Sequence, residues 1–81
     1  MKVEVQFFSY FKDATGCATT TEELPDDATI RQLMQRIHER FPKLAPAARS
    51  TLIAVGLEYA SPNHILKDGD QVSLFPPVQG G

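Results

Sequence analysis

Thr29-Ile30-Arg31-Gln32-Leu33-Met34-Gln35-Arg36-Ile37-His38-Glu39-Arg40-Phe41-Pro42 is the stretch that decides the fold of this 81-residue chain. Thr29 followed three residues later by Gln32 has the spacing of a capping box, in which two side chains satisfy amides left free at a helix start. The spacing predicts a helix beginning at Ile30. Its apolar positions Ile30, Leu33, Met34, Ile37 and Phe41 fall at i, i+3, i+4, i+7 and i+11, a single stripe. Gln35, Arg36, Glu39 and Arg40 then face water, and Pro42 stops the helix. A helix with one apolar stripe must bury it against another element.

On the N-terminal side, Lys2 to Ser9 alternates, with Val3, Val5 and Phe7 in one phase and Lys2, Glu4, Gln6 and Phe8 in the other, so it reads as a strand with one buried face. Tyr10 to Gly16 is a connection with room for one helical turn, and the Thr-rich run Cys17 to Leu24 reads as the returning strand. Pro25, Asp26 and Asp27 break it. On the C-terminal side, Lys43 to Ser50 reads as a loop with a short helical turn and Thr51 to Val55 as a short apolar strand. Gly56 and Leu57 form a tight reversal, Glu58 to Ala60 pairs back, and Lys67-Asp68-Gly69-Asp70 turns the chain into a last strand, Gln71 to Phe75. Pro76 and Pro77 lack amide hydrogens and end sheet pairing, so Pro76 to Gly81 is expected to project as an extended tail beyond a domain of residues 1–75.

Hairpin, helix, then short strands ending in a long one is the order of an α+β, ubiquitin-like β-grasp. The expected architecture is a mixed sheet of four to five strands with one main helix packed on one face. A right-handed crossover brings the last strand in beside the first, parallel to it. Eighty-one residues leave no room for a second functional lobe. Net charge is −2 with a sequence pI near 5.5, and Lys and Arg are scattered, which argues against a nucleic-acid partner. No apolar run approaches the roughly 18 residues of a membrane span. With one cysteine, Cys17, and no N-terminal leader pattern, the expected location is cytoplasmic.

The sequence contains no phosphate-binding glycine loop, no metal-spaced His or Cys cluster and no nucleophile set beside a base. His38, His64 and Cys17 read as packing or surface residues, and Asp68 and Asp70 as members of a plain turn. The chemistry is then expected at the other end, in Phe75-Pro76-Pro77-Val78-Gln79-Gly80-Gly81. The prolines stiffen the base of a tail that reaches at most about 20 Å. Gly80 and Gly81, lacking Cβ atoms, let a terminal carboxylate thread a narrow channel in another protein. A carboxylate needs activation, for instance adenylation, before a sulfur donor can convert it to a thiocarboxylate. No ATP-binding machinery is present, so ATP belongs to an activating partner and no cofactor is expected on this chain. Phe8 and Phe75 fall in the outward phase of the first and last strands, where parallel pairing places both near the exit of the tail. An exposed aromatic patch there suits a protein interface.

These residues resemble one family along almost the whole chain. Val5-Gln6-Phe7-Phe8, the helix with its Thr29 start, His64-Ile65-Leu66-Lys67-Asp68-Gly69-Asp70-Gln71-Val72 and the ending Phe75-Pro76-Pro77-Val78-Gln79-Gly80-Gly81 are similar, in order and spacing, to the molybdopterin synthase small subunits, the MoaD branch of the MoaD/ThiS sulfur carriers. The resemblance implies that Gly81 is adenylated by a ubiquitin-activating-like adenylyltransferase, takes sulfur from a donor protein and delivers it to a cyclic pyranopterin precursor. Delivery takes place inside a heterotetramer of two small and two large synthase subunits. It also implies that Phe8, Tyr59 and Phe75 contact the large subunit, with Pro76, Pro77, Val78 and Gln79 leading Gly80 and Gly81 into it. The family commonly has Asn where this chain has Gly56; both accept positive φ, so the turn is expected to survive. A carrier for thiamine, tungsten-cofactor or cysteine synthesis, a covalent protein modifier and an inert interaction module remain open alternatives.

Overall fold

The computed structural model describes residues 1–77. Strand β1 (Lys2–Phe7) is followed by a short helix α1 (Tyr10–Thr15), strand β2 (Thr19–Glu23), the main helix α2 (Ile30–Arg40) and a 3-10 helix (Pro42–Ser50). Strands β3 (Leu52–Val55), β4 (Glu58–Tyr59) and β5 (Gln71–Phe75) complete it. The five strands form one sheet in the order β2-β1-β5-β3-β4, with β1 and β5 parallel and the other neighbours antiparallel. This is the expected β-grasp, with all five strands present.

The capping box forms as the spacing predicts: Thr29 Oγ1 accepts from the Gln32 amide and Gln32 Oε1 accepts from the Thr29 amide. The stripe Ile30, Leu33, Met34 and Ile37 is buried against Val3, Val5 and Phe7 of β1 and Val72 and Leu74 of β5. At about 1.5–3 kcal/mol for each large apolar side chain removed from water, this layer is the main source of stability. Phe41 extends the stripe past the helix end, its ring meeting Phe7 edge-on at 5.4 Å.

Three details depart from the sequence reading. Cys17 lies before β2, because Thr15 Oγ1 donates to the Cys17 carbonyl at 2.9 Å and accepts from its amide at 3.3 Å. Those backbone groups are thereby held in the connection and are not offered to the sheet. Lys43 to Ser50 is helical along its length, as part of the 3-10 segment, which turns Leu44 into the core at 2% exposure. Arg36 and Arg40 do more than face water. Glu22 stands opposite Val3 in the β1–β2 register, so it points to the helix side and is buried; both guanidiniums pair with it, and Arg40 also donates to Thr20 Oγ1 at 2.8 Å.

Gly56 and Gly69 take the positive φ values, 61° and 86°, that their turns require. The carboxylates of the second turn are both used locally: Asp68 accepts from the Lys2 amide at 2.7 Å and Asp70 from the Lys67 amide at 2.8 Å. Among the described residues no helix is long and apolar enough to cross a membrane.

Candidate functional site

Where β5 ends, the pairing of β1 with β5 carries one step past the ladder: the Phe8 amide donates to the Leu74 carbonyl at 3.2 Å. That bond holds Phe8 level with Phe75 on the sheet face away from α2. Their rings stack with centroids 4.6 Å apart and planes 15° from parallel. Phe8 remains 37% exposed.

Pairing extends the face sideways. Leu52 stands opposite Phe75 across the β3–β5 ladder, and Tyr59 opposite Ala54 across the β3–β4 ladder. Residues directly opposite share a face, so Phe8, Phe75, Leu52, Ala54 and Tyr59 make one surface. Tyr59 is 74% exposed at its edge. Pro76 and Pro77 are half-buried against it, and with the aromatics they enclose a depression of about 470 Å³.

Ser9 and Tyr10 border this depression, and the sequence reading did not single them out. Ser9 sits at φ 56°, ψ −138°, in a turn closed by the Phe11 amide donating to the Phe8 carbonyl at 3.1 Å. A non-glycine residue there is strained by about 1–3 kcal/mol. The turn lets β1 end with Phe8 outward and start α1 with Phe11 buried. Serine gives no sequence signal for this conformation. Leu52 was also missed, although its alternation against Ile53 carries the signal.

Of the residues expected to act together, Phe8, Tyr59, Phe75, Pro76 and Pro77 lie on this surface. Val78, Gln79, Gly80 and Gly81 lie outside the described residues. His38 stands apart, on the opposite side of the sheet in the wall of α2. Burial pushes its pKa below the ordinary 6.5. No group of His, Cys, Asp and Glu suited to a metal ion occurs among the described residues.

Residues 5–81 match the ThiS family. The molybdopterin synthase sulfur carrier subunit of Chlamydomonas reinhardtii is 32% identical, with all of both chains covered. A Pyrococcus furiosus chain assigned as molybdopterin converting factor subunit 1 superposes with a TM-score of 0.88 at 35% identity, covering 96% of this chain and 99% of that one. A chain from the protein–protein complex of subunits 1 and 2 of molybdopterin-converting factor from Helicobacter pylori 26695 superposes at 0.69 with 29% identity, both chains being covered in full.

Proposed function

Because the chain belongs to the ThiS family, we propose that it is a sulfur carrier of molybdenum cofactor biosynthesis, the small subunit of a molybdopterin synthase. The carrying observation is the Phe8–Phe75 stack at the base of a sequence that ends in Gly80-Gly81. Relatives named as molybdopterin synthase sulfur carrier subunits, at 32% identity over the full length in one case, support the pathway. The subunit 1–subunit 2 complex of the Helicobacter pylori relative supports a large-subunit partner.

The chemistry runs through the Gly81 carboxylate. An activating partner transfers AMP from ATP to it with loss of pyrophosphate, giving an acyl adenylate. Sulfide supplied by a donor protein attacks the acyl carbon, the acyl–phosphate bond breaks and AMP leaves, so Gly81 ends as a thiocarboxylate. That softer nucleophile attacks a side-chain carbon of the cyclic pyranopterin monophosphate in the large subunit's active site and displaces its oxygen substituent; hydrolysis of the acyl–sulfur bond then leaves sulfur on the product and returns the carboxylate. Two rounds supply the two sulfurs of the dithiolene. The domain presents the tail: Phe8, Tyr59 and Phe75 seat the large subunit, Pro76 and Pro77 set the direction of exit, and Val78 and Gln79 lead Gly80 and Gly81 into the channel. ATP and the pterin are bound by partners, in an assembly of two small and two large subunits in the cytoplasm.

Intact mass spectrometry of protein from its native host tests the carrier role. Replacement of one terminal oxygen by sulfur is expected, whereas high-mass conjugates on lysines would make the chain a modifier. The thiocarboxylate form incubated with the large subunit and cyclic pyranopterin monophosphate is expected to yield dithiolene; absence of product would sink the molybdenum assignment. Deletion of Gly81 is expected to abolish transfer and leave the thermal unfolding curve unchanged.

A further inference from the structure

A second open surface lies on the helix side of the sheet. Ile30, Met34 and His38, spaced i, i+4 and i+8, form one wall of a groove of about 580 Å³, with Ile53 and Ala60 opposite. Eight residues of helix span about 12 Å, enough for about four residues of extended chain.

The groove has an apolar floor and a cationic rim. Arg31 and Arg49 line it, and no carboxylate does. Arg31 donates to Asn63 Oδ1 at 3.0 Å, and among the described residues neither arginine meets an acid. In the wall, His38 Nε2 is buried with no hydrogen-bond partner among the described residues. Buried as it is, that nitrogen offers a ligand no bond, and the imidazole serves the groove as wall. Leu52 and Tyr59 line both this groove and the depression beside Pro76 and Pro77, so a protein seated on the aromatic surface reaches the groove without a break.

We propose that this groove receives an acidic, apolar-faced peptide segment of a partner protein, whose apolar side chains lie between Met34 and Ile53 and whose carboxylates meet Arg31 and Arg49. The apolar floor selects against a purely polar strand and the unpaired arginines select for acid. A net charge of −2 on the whole chain makes an anionic membrane a poorer match than a peptide that reads only this rim. The groove's chemistry stands whichever pathway the tail serves.

The test uses the full chain, labelled with nitrogen-15 and titrated with a synthetic octapeptide alternating leucine and glutamate, and separately with its leucine–lysine counterpart. The acidic peptide is expected to shift the amides of Arg31, Met34, His38, Arg49 and Ile53. Arg49→Glu is expected to weaken that binding about tenfold, and Arg31→Glu likewise. Both arginines are exposed, so unchanged spectra away from the groove report that each variant is folded. Equal response to both peptides, or shifts confined to the surroundings of Phe8 and Phe75, would overturn the proposal. So would shifts at the groove with phosphatidylglycerol vesicles and none with the acidic peptide.

Discussion

On the β2 flank of α2, Arg36 and Arg40 close on Glu22, and Arg40 adds bonds to Thr20 and to the Thr21 carbonyl. On the β3 flank, Arg31 and Arg49 border an apolar groove and meet no carboxylate among the described residues. Helix α2 therefore presents arginine in two conditions, with Arg49 of the 3-10 helix joining Arg31 on the open side. Where the neighbouring strand supplies a buried acid, arginine locks helix to sheet. Where the neighbour is the short β4 and the 3-10 helix, the charge is left for something outside the chain. The difference comes from where the acids stand. Glu22 faces the helix because it stands opposite Val3, whereas Glu58, the acid of β4, stands opposite Val55 beside the Gly56 turn and does not line the groove.

The shared core beneath both flanks gives the largest expected effect. Leu33 is fully buried in the middle of α2, and Leu33→Ala is expected to cost about 2–5 kcal/mol in urea or thermal unfolding. Next comes the contrast itself. Glu22→Ala removes the acceptor of both guanidiniums and is expected to lower stability by about 1.5–3 kcal/mol. Arg49→Ala, on the open flank, is expected to stay within about 0.5 kcal/mol. Equal losses for these two variants would erase the distinction between the flanks. Thr29→Ala breaks the capping box at the end of the helix common to both and is expected to cost about 1 kcal/mol, read from the shift in denaturation midpoint.

The smallest effect belongs to His38. Burial favours its neutral form in the native state, so its folded pKa lies below the ordinary 6.5 kept by the unfolded chain. Between those two values the unfolded chain binds more protons. Stability is therefore expected to decline as pH falls through 6.5 and to level off below the folded pKa, with no contribution from this group above 6.5. His38→Gln is expected to flatten that part of the curve when midpoints are compared between pH about 7.5 and about 5. An unchanged slope would show that His38 is as well solvated as an ordinary surface histidine.

Local signals carried much of the fold. The capping box, the stripe from Ile30 to Phe41, the alternation of Lys2 to Phe8 and the turn glycines Gly56 and Gly69 each place an element, because each is written in residues adjacent in the chain. Phe8 and Phe75 were legible for the same reason, since strand alternation fixes their phase. The turn at Ser9 was not, because it rests on a conformation serine rarely adopts, and the alternation that gives the phase of Leu52 does not say that Phe75 lies alongside it. Cys17 misled because Thr15, two residues away, holds its backbone groups.

The sequence by itself determined most of the elements, their order, the buried phase of β1, α2 and β5 and the ending in Gly80-Gly81, all consequences of short-range sterics, periodicity and backbone hydrogen bonding. Only the tertiary structure decided that Glu22 is an inward acid, that Phe8 and Phe75 stack, and that the β3 flank of α2 stays open. Those outcomes depend on the register of strands distant in the chain, such as β1 and β5, where Glu4 stands opposite Gln71. Register is set jointly by every contact across the sheet and is not encoded in any single stretch of the chain.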